Sequence, residues 1–253
     1  MTLHNKKNRI FAKPNRNAMY SLNYKVTTSC CDRSGRLKLF SALQMMQDCS
    51  EMWMESEPAV RQYFVAQNMA QLLASRQVEV LRVPRFRDNL TVTTSVFEMQ
   101  AMFGFRNTFI YDSQGQPCYR TWSMGAFVDR TTGKLKRVDP AVAATLHLDP
   151  KLEMDYRDRR IHLPKTEGQT VAPVRVLRSD IDYNRHVNSA NYIRMALDLL
   201  PDSFEPTALR VEYRQPAKLG DVLLPTLFAI DGGFVVTIGI GSEVCAIMEF
   251  INR

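Results

Sequence analysis

Apolar residues recur at spacings of three and four at Leu39, Ala42, Leu43, Met46, Cys49 and Trp53, while Asp48, Glu51 and Glu55 fall outside that stripe. This pattern predicts a long amphipathic helix with one face committed to a core. Around it the chain turns to strand-like runs at 20–28 and at about 72–83, 90–100, 104–112 and 118–128, with turn signals at Arg87-Asp88-Asn89 and Ser113-Gln114-Gly115. The same order returns downstream: a strand at about 171–178, a helix at about 189–200, and strands at 208–215, 222–229, 233–240 and 243–250.

The recurrence is an internal repeat. Aligned without gaps, Asp32, Leu37, Leu43 and Asp48 fall on Asp182, Val187, Ile193 and Asp198 at an offset of 150, and Arg82-Val83-Pro84 falls on Arg214-Gln215-Pro216 at an offset of 132. The first copy therefore carries 18 extra residues between its helix and its next strand, at about 55–72. One helix cannot bury its stripe and also cover a flat sheet, but five antiparallel strands wrapped around one long helix satisfy both, which is the hotdog arrangement. The expected class is α+β, a tandem or double hotdog. Residues 1–19 read as a basic N-terminal arm, 20–128 as the N-terminal hotdog, 129–170 as a linker and 171–253 as the C-terminal hotdog.

Composition narrows the function classes. With 253 residues, 45% hydrophobic and 23% charged, the chain is that of an ordinary globular protein. Most of its net charge of +7 resides in the first 20 residues, where Lys6, Lys7, Arg9, Lys13 and Arg16 stand without an acid, so the rest is nearly balanced. That arm lacks the aromatic platform or helix-turn-helix pattern of a nucleic-acid binder, and it lacks the apolar block of a secretory signal. The apolar runs at 222–230 and 233–240 are too short and strand-like for a membrane span. Five cysteines without paired spacing suggest neither a zinc site nor a disulfide framework and fit a reducing, cytoplasmic setting. His147 and His162 in the linker and His4 in the arm lack metal-ligand spacing, so no metal is expected.

The densest polar stretch is Ser179-Asp180-Ile181-Asp182-Tyr183-Asn184-Arg185-His186-Val187-Asn188, directly ahead of the second helix. Asn188 or Ser189 is the expected N-cap, which sets Asn184 and His186 on the loop feeding the helix N-terminus. Unpaired amides and the positive end of the helix dipole there favour developing negative charge. A neutral His186 can bond to or deprotonate water, Asn184 can donate an amide hydrogen, and Asp182 can orient either one. A merely capped turn needs only small polar residues, yet the first copy keeps Asp32 and has Ser34 and Arg36 in place of Asn184 and His186. The asymmetry marks the second copy as the chemical one and the first as a receptor for the rest of the ligand. Met45, Met46, Met52, Met54 and Trp53 read as helix core and, secondarily, as a pliable apolar wall for part of a ligand, with the 18-residue insertion as a natural lid.

The segment Asp180 to Asn188, followed by Tyr192-Ile193, resembles the hallmark of the acyl-acyl carrier protein thioesterases of plants and bacteria. The likeness extends over nearly the whole chain through Arg36-Leu37-Lys38-Leu39, Arg82-Val83-Pro84-Arg85, Tyr111-Asp112-Ser113-Gln114-Gly115, the Trp122 strand with Val128-Asp129, and Val211-Glu212-Tyr213-Arg214. The resemblance implies a double hotdog that holds the acyl chain mainly in its N-terminal copy, with Asp182, Asn184 and His186 as catalytic residues. It implies hydrolysis of a fatty acyl thioester of acyl carrier protein to free fatty acid and carrier thiol, without a cofactor. Substrate contacts are expected from Ala42, Met46 and Trp53 on the acyl side, and from Arg178 and Arg194, with Arg185, Arg214 and Lys218 nearby, toward an acidic carrier protein. A homodimer is an allowed further assembly. Where plant members carry a Glu-Cys pair, this chain has Pro216-Ala217, and Gln215 to Asp221 is similar to single-unit acyl-CoA thioesterases. Acyl-CoA hydrolysis and a non-catalytic acyl-thioester-binding role therefore stand as alternatives. Cys245, on an expected strand, reads as a small buried hydrophobe.

Overall fold

The computed structural model describes residues 19–252, so the basic arm, apart from its final residue, lies outside the described residues. The first copy comprises β1 (Tyr20–Lys25), α1 (Leu39–Ser56), α2 (Pro58–Ala66), β2 (Met69–Val80), β3 (Asn89–Met99), β4 (Phe103–Asp112) and β5 (Pro117–Asp129). After α3 (Pro140–Ala143) come β6 (Gln169–Thr170), β7 (Val174–Arg175), α4 (Ser189–Leu197), β8 (Ala208–Tyr213), β9 (Val222–Ile230), β10 (Gly233–Ile240) and β11 (Glu243–Ile251).

The strands form one antiparallel sheet in the order β1-β3-β4-β5-β2-β8-β11-β10-β9-β6, with β7 also on β9. Its two halves are mirror orders that meet at β2 and β8. At the seam Gln77 pairs with Arg210 and Val78 with Leu209. By the offset of 132, Gln77 corresponds to Leu209 and Val78 to Arg210, so the seam is itself an approximate two-fold. Edge strands that would otherwise expose unpaired amides are thereby joined into one sheet.

Both helices lie on the concave face. α1 buries Ala42, Leu43, Met46 and Cys49, and α4 buries Ala190, Tyr192, Ile193 and Ala196, all in one cluster with Val78, Leu209 and Val211 from the seam strands. Burial of a branched or thioether side chain stabilises by about 1.5–3 kcal/mol, and this shared cluster draws on both copies at once. The core is therefore common property of the two hotdogs.

Three expectations change in detail. The run at 171–178 forms only two short pairings, because Pro173 lacks the N–H that a continuous ladder needs. The second helix stops at Leu197 rather than 200; a tighter turn follows through Leu199 and Leu200, and Pro201 ends it. The 18-residue insertion holds α2, started by Pro58 and packed through Val60 and Phe64 onto Trp53, Met69 and Phe127.

The segment between the copies is a strap across the convex face. Tyr156 packs on Trp122 and Phe97 and hydrogen-bonds Asn107, while the Gln77 side chain accepts from Trp122 Nε1 at 2.9 Å and from Arg157 N at 2.9 Å. Ile161 is buried with Val235 and Ile247, and its N–H donates to Glu212 Oε2 at 3.0 Å. Gln77, Asn107 and Glu212 are thus paired on this face, while Ser75 Oγ, Thr93 Oγ1, Ser95 Oγ and Arg120 Nε of the sheet are buried without a hydrogen-bond partner.

Candidate active site

The loop before each long helix is built the same way in both copies. Asp32 N donates to Arg36 O at 2.8 Å and Asp182 N to His186 O at 3.1 Å, flanked by bridges Cys31 to Leu37 and Ile181 to Val187. Each aspartate carboxylate accepts the backbone N–H two residues on, from Ser34 and from Asn184, at 2.8 Å in both cases. This is an Asx turn, which explains why aspartate stands at both positions. The following tight step needs a positive φ, taken by Gly35 at 73° and by Arg185 at 65°. A left-handed arginine stores about 1–2 kcal/mol of strain that a glycine avoids. The strained copy is the one with His186 beside it.

The loops then diverge. Asn188 caps α4, its Oδ1 accepting from Ala190 N at 3.0 Å while its Nδ2 donates to the second oxygen of Asp182 at 3.2 Å. Because Asn188 also takes the N–H of Asn191 on its backbone carbonyl, the first turn of α4 offers fewer free amides than the sequence suggested. Lys38, at the matching place, provides no such cap to α1. Asn184 is exposed and His186 half-buried, and among the described residues no side-chain hydrogen bond holds the imidazole.

What faces each loop differs as well. The first-copy loop is closed off by ion pairs to the segment after α4: Arg36 with Glu205 and Arg33 with Asp202 at 3.2 Å. The second-copy loop faces the polar side of α1, where Tyr183 donates to Glu51 Oε2 at 3.0 Å and Ser189 Oγ donates to Gln47 Oε1 at 3.0 Å. Beside it runs a cleft of about 260 Å³ lined by Tyr24, Ser41, Gln44, Gln47, Asp48 and Asn188. Burial, then the charge of Glu51, raises the Asp48 carboxyl above its ordinary range.

The expected acyl-side residues separate. Ala42 and Met46 are fully enclosed in the shared core, whereas Trp53 belongs to a second cluster with Val60, Phe64, Val96, Phe127 and Leu146. Trp53 lines a small cavity of about 10 Å³ with Met54, Val96, Met99, Arg106 and Leu146. Arg106 stacks on Trp53 at 4.2 Å and donates to Ser50 O and Thr94 Oγ1, each at 3.2 Å. Burial drives its guanidinium down to about 10. The two arginines expected at the carrier side also separate: Arg178 is exposed, but Arg194 pairs with the buried Asp180 at 2.8 Å and with Asp198 at 3.3 Å. Arg194 thus ties α4 to the loop. Arg178, Arg185 and Lys218 are exposed and form no ion pair among the described residues, while Arg214 pairs with Glu212 at 3.1 Å.

The residues missed by sequence reasoning are Gln47 and Glu51. Their signal was present as an i, i+4 pair on the polar face of α1, which a tandem fold must turn toward the second copy. Among the described residues no group of His, Cys, Asp and Glu is arranged to hold a metal ion, and His147 instead lies 3.5 Å from Asp149.

A family model described as the acyl-ACP thioesterase N-terminal domain matches residues 17–146, and one described as the C-terminal domain matches residues 163–229. The chain belongs to the acyl-ACP thioesterase family. Among curated relatives, the chloroplastic acyl-[acyl-carrier-protein] hydrolase FATB3 of Cuphea viscosissima is 27% identical over 161 residues, 60% of this chain and 39% of its own length. A second, FATB2 of the same plant, is 28% identical over 63% of this chain, of which the match takes 41% of the relative. The chain thus spans about two fifths of the length of these curated relatives. An acyl-ACP thioesterase structure from Bacteroides thetaiotaomicron superposes with a TM-score of 0.84 at 22% identity, covering 95% of this chain and 99% of that one. The 12:0-ACP thioesterase of Umbellularia californica superposes at 0.83 and 15% identity, covering 93% and 97%. These likenesses establish the double hotdog for this member of the acyl-ACP thioesterase family.

Pro216-Ala217 sits behind the loop: Ala217 N donates to Tyr192 Oη at 2.8 Å, and its carbonyl accepts from Val187 N at 2.9 Å. Cys245 is buried on β11, and burial pushes its thiol above the ordinary range. Cys245→Ser is expected to keep wild-type turnover, and the native thiol is expected to resist iodoacetamide at pH 8 until the protein is unfolded; mass spectrometry of the alkylated peptide reads this directly.

Proposed function

We propose that this chain is a thioester hydrolase that releases free fatty acid from acyl-acyl carrier protein, with Asp182, Asn184 and His186 as its catalytic residues. The observation that carries the reading is the asymmetry between two loops of one geometry. One holds Ser34 and Arg36 and is filled by ion pairs. The other holds Asn184 and His186 and reaches the cleft through Asn188. Family membership supports the same class of substrate.

In this mechanism His186 takes a proton from the attacking water as its oxygen bonds the acyl carbon, and the proton passes to the departing thiolate as the carbon–sulfur bond breaks. The oxyanion is held by the Asn184 side-chain amide at the positive end of α4, since the cap has taken the nearest backbone donors. Asp182 acts by shaping the loop through Asn184 N and Asn188 Nδ2. Gln44, Gln47 and Asn188 line the cleft with amides suited to the amide-bearing arm of a carrier thioester. The acyl chain enters the Trp53 cavity of the first copy, which opens by rotation of Met54 and Met99. Ala42 and Met46, expected beside the acyl chain, lie in the shared core and do not line this cavity. Arg178, Arg185 and Lys218 meet the acidic carrier, and Arg194 holds Asp180 and the loop behind them.

A reducing cytoplasm suits the five free cysteines, and no helix among the described residues is long and apolar enough to cross a membrane. Hydrolysis assayed on carrier-protein and CoA thioesters of graded chain length tests the reading. Higher kcat/KM on the carrier series supports it, higher kcat/KM on CoA replaces the substrate, and no hydrolysis on either series leaves acyl-thioester binding. Size measurement of the assayed protein separates monomer from homodimer.

His186→Ala and Asn184→Ala are each expected to lower kcat about 100-fold or more, with melting temperature little changed. Met99→Trp, which narrows the Trp53 cavity, is expected to shift the profile toward shorter chains at about 1 kcal/mol per methylene excluded, leaving the best substrate's kcat near wild type. Reversing two free cations, Arg178→Glu with Lys218→Glu, is expected to raise KM for carrier substrates and not for small thioesters. That difference should shrink as added salt shortens the Debye length below about 8 Å.

A further inference from the structure

The reading of the Asn184 and His186 loop as catalytic leaves one carboxylate unassigned at its edge. Glu51 lies on α1 in the first copy, 131 positions before Asp182 in sequence and yet in direct contact with the same loop. Its Oε2 accepts from Tyr183 Oη at 3.0 Å and its Oε1 from Gln47 Nε2 at 3.1 Å. Gln47 in turn accepts from Ser189 Oγ at 3.0 Å, on the first residue of α4. One carboxylate on α1 therefore grips both sides of the site: the residue before Asn184 and the start of the helix whose positive end faces it. Hydrogen bonds to a charged acceptor are about twice as strong as neutral ones, so an exposed tyrosine can be held this way.

A second observation points to the same place from the sheet. Arg76, on β2, is almost fully buried in register with Val211, two residues from Tyr213, whose hydroxyl donates to Ser189 O at 2.9 Å. Its Nε and Nη1 have no hydrogen-bond partner among the described residues; burial lowers the pKa of its guanidinium, and the nearby Glu51 carboxylate opposes that. The pseudo-equivalent loop is tethered by the corresponding residue, Arg33 after Asp32, to Asp202 beyond α4. Both loops are thus fastened across the copy boundary, but only the second is fastened by a carboxylate that also fixes its own helix start.

We propose that Glu51 is the positioning carboxylate of this site, supplied by the first copy, which holds Tyr183 and thereby Asn184 in the geometry that the transition state requires. The proposal rests on the catalytic reading of the loop. It supplies a carboxylate to the site from α1 rather than from the segment after β8, where Pro216 and Ala217 stand.

The experiment is a double-mutant cycle on kcat and KM with the best acyl thioester, run beside His186→Ala. Glu51→Ala and Tyr183→Phe are each expected to lower kcat about ten-fold with KM within about two-fold, because a displaced donor weakens the transition state more than the ground state. The double variant is expected to fall no further than the worse single one. Glu51→Gln, which keeps a neutral acceptor oxygen for Tyr183, is expected to recover part of the loss. Should Glu51→Ala misfold, Tyr183→Phe and Glu51→Gln carry the test, since the first removes one exposed hydroxyl and the second is isosteric. Wild-type kcat in Tyr183→Phe, multiplying losses in the double variant, or no recovery by glutamine overturns the proposal while an inactive His186→Ala leaves the catalytic loop standing. Wild-type turnover in His186→Ala overturns both.

Discussion

The antiparallel pairing of β2 with β8 is the interaction on which the rest of the molecule depends. Two curved sheets, each with an unpaired edge, are joined there into a single one, and the register of the seam fixes where every element of one copy lies against the other. A slip of two residues would keep the inward and outward faces and still displace α1 along α4, parting Tyr183 from Glu51 and Ser189 from Gln47. The hydrogen-bond ladder at the seam and the apolar cluster beneath it are thus constraints on chemistry as much as on stability.

Duplication gave this fold two loops with one backbone solution and let their side chains take different paths. Asp32 and Asp182 persist because the turn needs a carboxylate to satisfy its own amides, which is a local requirement felt equally in both copies. Nothing local requires a histidine. The strain at Arg185, where the other copy uses glycine, sits beside the residues proposed to act, in keeping with strained backbone at functional positions.

The first copy is not a plain oil pocket. Ser50, Thr94, Arg106 and Thr108 form a buried hydrogen-bonded layer between the core shared by the two helices and the cluster around Trp53. An apolar chain lying in the outer cluster is thereby kept apart from the packing that holds the copies together. Filling or emptying the Trp53 cavity need not disturb the seam, which physically separates chain-length selection from the stability of the site.

The sequence alone determined the repeat, the class of fold and the loop that carries Asp182, Asn184 and His186, because each is written in local periodicity or in a contiguous motif. It also marked Cys245 for burial, since an alternating strand has only two faces. It placed Ala42, Met46 and Trp53 on one helical stripe, and the stripe is real, but burial on a stripe does not say which cluster a residue joins; the sheet's curvature assigned Trp53 to the cavity and the other two to the shared core. Likewise five nearby arginines and lysines looked equivalent until packing paired Arg194 with Asp180 and Arg214 with Glu212. Only tertiary structure decided that Glu51 meets Tyr183 and that Arg36 meets Glu205, because those contacts join residues more than a hundred positions apart through the register of a seam that no local pattern encodes.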